Sequence, residues 1–293
     1  MDGVIVVDKP AGCTSHDVVN RLRRLAQTKK IGHLGTLDPL ATGVLPLMIG
    51  RATRLAQYIG TGDKRYDADI RFGVTTDTYD REGGVVSTSP DFELRREDIE
   101  AALEAYRGVF LQTPPPVSAK KVRGTPAYKL ARKNIPVELQ PVKVTVYSLE
   151  LLQVGEKTAR ISVHCSGGLY VRAIAHDLGQ RLGCGAILDE LRRTASGEFE
   201  VEQAHTLDEL ETLAGEGRLQ EALIPAAKLL PQIPTEIVDA PTAGQIRQGR
   251  DFRVSPFRSR GNQTLVKAIT REGELIAIGE ARLPSVYHPV LVL

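Results

Sequence analysis

Strand-like and helix-like segments follow one another along this chain without a fixed strand–helix–strand period, and that irregularity constrains the fold more than any other feature. A regular alternation would call for a doubly wound parallel sheet; its absence predicts an α+β architecture built on a mixed sheet. Gly3–Val7 is β-branched and ends at Lys9-Pro10, a strand entering a turn. Ser15 stands where a helix N-cap is expected, and Val18, Val19, Leu22, Leu25 and Ala26 follow at helical spacing, with Arg21, Arg23 and Arg24 on the opposite face. Tyr66–Phe72 alternates as a strand, and Leu94–Tyr106 reads as a helix with Ile99, Leu103 and Tyr106 on one side. Val142–Val154 and Thr158–Cys165 read as two strands around a Gly-Glu-Lys turn that lead into a helix over Leu169–Leu182. The acidic stretch 196–224 holds a short helix near 207–214. After Leu229-Leu230-Pro231 the runs shorten to Arg253–Val254, Thr264–Thr270, Glu274–Leu283 and Val290–Leu293, which predicts a compact all-β unit from about 232 to 293.

With 293 residues the chain can bury a core for one large unit and one small one. No apolar run approaches the roughly 18 residues needed to cross a bilayer, and the first residues, with acids early, read as no export leader. Cys13, Cys165 and Cys184 are widely spaced and form no CxxC pair, which argues against a disulfide scaffold or a zinc site and fits a reducing cytoplasm. The formal charge is only +2. Its distribution is uneven: residues 1–65 carry 10 basic and 5 acidic side chains and 118–143 carry 7 and 1, whereas 196–224 carry 1 and 8. A polyanion responds to the field within about 8–10 Å, so local tracts decide what it meets.

Residues 31–50 are the most unusual local sequence. Gly32, Gly35, Gly43 and Gly50 punctuate a stretch holding His33, Thr36, Asp38 and Pro39, and no single regular element can span it. Glycines let a bulky ligand approach the main chain, and Pro39 biases Asp38 toward an extended or turn shape that presents its carboxylate, or that caps the backbone of an ordinary Asp-Pro turn. The P-loop, dinucleotide, GxSxG and HExxH templates are absent. Asp77, Asp80 and Gly83 do not fit a calcium loop and read as a hairpin turn, and His176-Asp177 reads as surface polarity because neighbours on a helix point about 100° apart. Three tracts favour RNA. Lys120, Lys121, Arg123, Lys129, Arg132 and Lys133 surround Tyr128, a mixture of phosphate contacts and a stacking ring. The others are Arg247, Arg250, Arg253, Arg258 and Arg260, and the run Lys64-Arg65-Tyr66.

The motifs VVDKPAGCTSHDVV (6–19), GHLGTLDPLATGVLPL (32–47), DKRYDADIRFGVTTDTYD (63–80), SAKKVRGTPAYKLAR (118–132), HCSGGLYVRAIAHDLG (164–179) and LRRTASGEF (191–199) together resemble the TruB-type tRNA pseudouridine synthases. The match runs over residues 3–230 with order and spacing kept, and the tail more loosely resembles the small β-barrel PUA module. The resemblance implies a pseudouridine synthase catalytic domain over 1–230, with 118–143 as a thumb-like RNA-binding insertion, and a PUA-like RNA-binding domain over 231–293. It implies isomerisation of the T-loop uridine, uridine 55, in the T stem-loop of tRNA by a cytoplasmic, monomeric enzyme that needs no metal, nucleotide or redox cofactor and has no membrane attachment. A tRNA-folding chaperone activity on the same surface is compatible with it. Asp38 corresponds to the catalytic aspartate, acting either on C1′ of the sugar or on the C2′ proton. Tyr66 corresponds to the tyrosine that stacks on the flipped base and helps remove the C5 proton. Arg172 corresponds to the arginine that keeps the aspartate ionised and positioned. Tyr170 and Leu191 line the base pocket, His33 fills the space left by flipped nucleotides, Lys9 supports the floor of the site, and Lys120, Lys121 and Arg123 contact RNA. The chain departs from the family pattern at Leu34, beside His33, and at Pro141-Val142-Lys143, where an arginine is common.

Overall fold

The computed structural model describes residues 1–59, 62–118, 120–122, 124–127, 130, 139–254 and 264–293. Its first half supplies β1 (Gly3–Lys9), β2 (Ile31–His33), β3 (Thr42–Ile49), β4 (Lys64–Phe72), the hairpin β5 (Val74–Thr76) and β6 (Val85–Thr88), and β7 (Gly108–Gln112). Two-residue strands β8 (Lys121–Val122) and β9 (Thr125–Pro126) precede β10 (Val142–Val154), β11 (Thr158–Cys165), β12 (Ala186–Ser196), β13 (Phe199–Glu200) and β14 (Ile224–Pro225). Ten of these form one mixed sheet ordered β14-β1-β3-β12-β4-β11-β10-β7, with β2 on β3 and β13 on β12. Its pairs are antiparallel except β3 with β12, which run parallel where Thr42 faces Arg192 and Gly43 faces Arg193.

The helix Ser15–Leu25 buries Val18, Val19 and Leu22 against this sheet, as its spacing predicts. Its cap differs from expectation by one residue. Thr14, not Ser15, is the N-cap, in a capping box with Asp17: Asp17 N donates to Thr14 Oγ1 at 3.1 Å and Thr14 N to Asp17 Oδ2 at 2.9 Å. Ser15 is thereby free to turn inward, where it is 2% exposed. The expected helix over Leu94–Tyr106 is α-helical at Arg96–Leu103 and tightens to a 3-10 turn over Glu104–Tyr106. The helix expected from Leu169 begins at Val171, because Tyr170, its N-cap, is extended.

A second, five-stranded sheet is made by β15 (Thr235–Val238), β16 (Phe252–Arg253), β17 (Leu265–Thr270), β18 (Leu275–Leu283) and β19 (Val286–Val292), in the order β15-β17-β18-β19-β16. One short helix, Ala240–Arg247, packs on it through Ala243 and Ile246. The two sheets are not separate bodies. Val4 and Val6 of β1 share a core cluster with Ile269, Ile278 and Leu291 of the small sheet.

Candidate active site

The segment Leu34–Ala41 between β2 and β3 carries Asp38, and almost every residue around it is tied down from a different element. Ser15 Oγ donates to Leu37 O at 3.0 Å and accepts from Leu37 N at 2.8 Å. Lys9, with no exposed surface, points its Nζ at three carbonyls: Ala41 O at 2.7 Å, Pro10 O at 2.8 Å and Pro39 O at 3.2 Å. Arg193 of β12, 1% exposed, reaches Val44 O (2.7 Å) and Gly35 O (3.1 Å). Backbone carbonyls that a loop would normally turn to water are satisfied by three buried side chains, so the carboxylate is held before any ligand arrives.

The Asp38 side chain is 34% exposed and faces Arg172, which is 4% exposed at the start of the helix Val171–Arg181. Arg172 Nη2 donates to Asp38 Oδ1 at 3.1 Å, and Nε lies 2.9 Å from Oδ2 as an ion-pair contact without hydrogen-bond alignment. Two further guanidinium hydrogens go to Thr78 O (2.9 Å) and Val117 O (3.0 Å), and Asp80 Oδ2 lies 3.4 Å from Nη1. Asp80, 4% exposed, is itself fixed by Thr78 Oγ1 at 2.6 Å and Glu82 N at 3.0 Å. The β5–β6 connection is a hairpin, as expected, but its turn supplies the second carboxylate on Arg172. Enclosure pushes the Asp38 carboxyl up from the usual carboxylate range; Arg172 opposes the shift, Asp80 adds to it, and the net direction is upward. The pairing expected to keep Asp38 ionised therefore works against desolvation and the Asp80 charge together.

Asp38 and Arg172 open on a cavity of about 230 Å3. Tyr66, Tyr170 and Leu191 line it together with them, so five of the residues singled out from sequence meet at one place. Tyr66 is 8% exposed and sits opposite Arg193 in the β4–β12 ladder; burial pushes its phenol above the ordinary range. Tyr170 is set by Gln112, which donates to its carbonyl at 3.0 Å and accepts from its N–H at 2.8 Å. His33 ends β2, two residues before the cavity wall at Gly35, and does not line the cavity. Lys9 also stays behind the wall: its enclosed ammonium positions the loop and is not available to a ligand. Lys120 is exposed on the surface, Lys121 lies in β8, and Arg123 lies outside the described residues, as do Tyr128, Lys129, Arg132 and Lys133. In the C-terminal cluster Arg247 pairs with Glu274 at 3.0 Å, and Arg258 and Arg260 are outside the described residues. Sequence reading passes over Ser15, Asp80, Gln112 and Arg193 as site residues, and offers Lys64 only as part of the basic run Lys64-Arg65-Tyr66. Ser15, Arg193 and Asp80 lie within the motifs that carry the resemblance, Asp80 also in an acid cluster in a turn, and Gln112 has no sequence signal.

Residues 23–171 match the family model described as TruB family pseudouridylate synthase (N terminal domain), and residues 172–231 match the model of the tRNA pseudouridylate synthase B C-terminal domain. The tRNA pseudouridine synthase B of Solibacter usitatus (strain Ellin6076) is 61% identical over 293 residues, 100% of both chains. That of Aquifex aeolicus (strain VF5) is 43% identical over 284 residues, 96% of each. Among solved structures, a chain of an H/ACA RNP bound to a substrate RNA containing 2′-deoxyuridine superposes with a TM-score of 0.71 at 25% identity, covering 99% of this chain and 84% of that one. A chain of a Cbf5-Nop10-Gar1 complex gives 0.70 at 27% identity, with the same coverage. With its mixed sheet, its tethered aspartate and these matches along its length, the chain belongs to the TruB family of pseudouridylate synthases.

Proposed function

We propose that this chain isomerises uridine 55 in the T loop of tRNA to pseudouridine, with Asp38 as the catalytic carboxylate. The observation that carries the reading is the single arrangement of Asp38 on Arg172, with two more guanidinium hydrogens held by the carbonyls of Thr78 and Val117, on a cavity lined by Tyr66. The cavity is small for a ligand pocket and suits one base with its sugar. A uridine within a folded loop must leave its stack to enter, at a cost of a few kcal/mol.

Once it is inside, the N1–C1′ bond breaks with its electron pair leaving on uracil. The Asp38 carboxylate either bonds to C1′, leaving a glycosyl ester, or takes the C2′ proton, leaving a C1′=C2′ glycal whose C1′ becomes electrophilic when that proton returns to C2′. The base turns and C5 bonds to C1′, either as the Asp38–C1′ bond breaks or as Asp38 returns its proton to C2′; the C5 proton then leaves with the help of Tyr66, and N1, which kept the electron pair, takes one up. Water must be kept out, because it would trap the sugar, and the enclosed loop and Tyr66 serve that end. Burial holds the Tyr66 phenol in its protonated form, so in the resting site its oxygen accepts from Arg193 and its ring is left to stack on a flipped base. The chain is assigned a catalytic unit over 1–230 with 118–143 as a thumb, a PUA-like RNA-binding unit over 231–293, and action as a cytoplasmic monomer. Among the described residues no helix is long and apolar enough to cross a membrane.

The test is a T-arm transcript incubated with wild type and Asp38→Asn. The variant is expected to bind with wild-type affinity and to form no pseudouridine. Product at the wild-type rate would overturn the assignment, and release of free uracil by wild type would make the protein a hydrolase. Refolding of misfolded tRNA by Asp38→Asn would show that folding help rests on binding alone.

A further inference from the structure

One wall of the Asp38 cavity holds two buried cations and no acid. Lys64, 8% exposed, and Arg193, 1% exposed, both line it. The partners of Arg193 are neutral: the carbonyls of Val44, Gly35 and Thr36 and the Tyr66 phenol. Lys64 Nζ donates to Ser196 Oγ at 2.8 Å, its one hydrogen bond among the described residues, which leaves two ammonium hydrogens unspent. Nearby groups that could neutralise the pair are engaged or uncharged. Asp38 is committed to Arg172, and Asp63 lies 3.6 Å from His164 with its side chain 52% exposed. Cys165, facing Lys64 across the β4–β11 ladder, is buried and its thiol is pushed up to about 12. A buried cation without a counter-charge is costly, and a functional site is where such a cost is retained. Between the two cations the chain places Gly35, with φ +93; a Cβ there would lie 3.5 Å from Arg193 Nη1 and 3.6 Å from Lys64 Cε, so the main chain borders this wall without a side chain filling it.

We propose that Lys64, in the field of Arg193, forms an anion subsite that receives the backbone phosphate adjoining the flipped uridine. The inference rests on the reading of the cavity as a uridine site. Uracil is neutral and offers no charge to match two cations. The phosphodiester is ionised at every working pH and lies one sugar away from the base. Lys64, which the sequence offers only as part of a basic run, is then a substrate-binding residue for one particular phosphate.

The experiment measures binding of T-arm RNAs carrying a single uncharged methylphosphonate on the 5′ or the 3′ side of the target uridine, in an Asp38→Asn background that prevents turnover. One of the two substitutions is expected to weaken binding about tenfold in the protein with Lys64 and less than twofold in Lys64→Met. The slope of log affinity against log salt should fall by about 0.7 in Lys64→Met, the value of one phosphate contact on single-stranded RNA. Lys64→Arg should keep both effects, and it carries the test with the parent protein if Lys64→Met does not fold. Losses that multiply at both phosphates would overturn the proposal. So would equal tolerance of both methylphosphonates by the parent protein, or a Lys64→Met defect silenced by altering uracil O4 instead. Failure of the parent to prefer T-arm RNA over an unrelated hairpin would count against the uridine-site reading itself, a separate result.

Discussion

Five contacts converge on the Arg172 guanidinium: both oxygens of Asp38, the Asp80 carboxylate, and the carbonyls of Thr78 and Val117. They approach from three elements, and a planar fork with five hydrogens can meet them together where a lysine ammonium cannot. Arg172→Lys keeps the charge and loses the geometry, so kcat on T-arm RNA is expected to drop about a hundredfold with KM changed little; a drop confined to KM would mean that Arg172 binds substrate and does not position Asp38. Lys64 carries a different prediction. Burial, with Arg193 beside it, moves its ammonium from the ordinary 10.5 down to about 8. Between those two values the unfolded chain holds a proton that the folded chain has given up, so stability rises with pH across that window and the cost of burying the charge is fully present below it. A depression of this size corresponds to about 3 kcal/mol. Lys64→Met should therefore raise the urea midpoint at pH 7 and flatten the rise between pH 8 and 10.5. An unchanged pH profile in the variant would show that Lys64 is not the group that titrates.

At the scale of elements, the site depends on the one parallel pairing within the large sheet. β3 and β12 meet where Gly43 faces Arg193, and a Cβ on Gly43 would stand 2.2 Å from Arg193 O. Gly43 also has φ +99. Gly12 shares a positive φ, +81, but a Cβ there meets nothing within 4 Å. Gly12→Ala should cost about 1 kcal/mol for the conformation alone, and Gly43→Ala roughly 3 kcal/mol or more, because it also drives β3 away from the strand that carries Arg193. Equal costs in chemical denaturation would mean that the close approach is not needed. The same junction explains what the sequence made legible. β10 and β11 appear with their expected bounds, Val142–Val154 and Thr158–Cys165, because half-buried strands alternate and a Gly-containing turn separates them. β12 was not legible as a strand. It lies inside the sheet, and its charged side chains look like surface until partners distant in sequence are known: Asp189 with Arg71 at 3.3 Å, Arg192 with Asp8 at 2.8 Å. Asp38 stood out because a carboxylate among glycines and a proline is unusual. Ser15, Gln112 and Arg193 did not, since Ser15 bonds 22 residues away, Gln112 58 and Arg193 as far as 158, and no local pattern encodes such distances.

At the scale of the whole molecule, the small sheet is joined to the large one by apolar packing and by two kinds of polar latch. Val4 and Val6 pack in one cluster with Ile269, Ile278 and Leu291. Across the same junction Arg51 bridges Asp2 (2.7 Å) and Glu274 (3.0 Å), with its side chain 44% exposed. Lys267, 4% exposed, donates to Leu229 O at 2.8 Å and Ala227 O at 3.1 Å, which anchors β17 to the segment leaving the large sheet. A solvent-exposed ion pair contributes about 0–1 kcal/mol, whereas removing a buried donor strands two carbonyls and costs about 1–3 kcal/mol. Arg51→Met should therefore shift the melting temperature little. Lys267→Met should lower it by several degrees, and the shared core should keep unfolding in one calorimetric transition in both proteins. A second transition in Lys267→Met, with the lower one abolished by removing residues 232–293, would show that the two sheets unfold independently. The apolar cluster would then be too weak to couple them without the lysine anchor, which would be needed to hold the C-terminal unit in place relative to the Asp38 cavity.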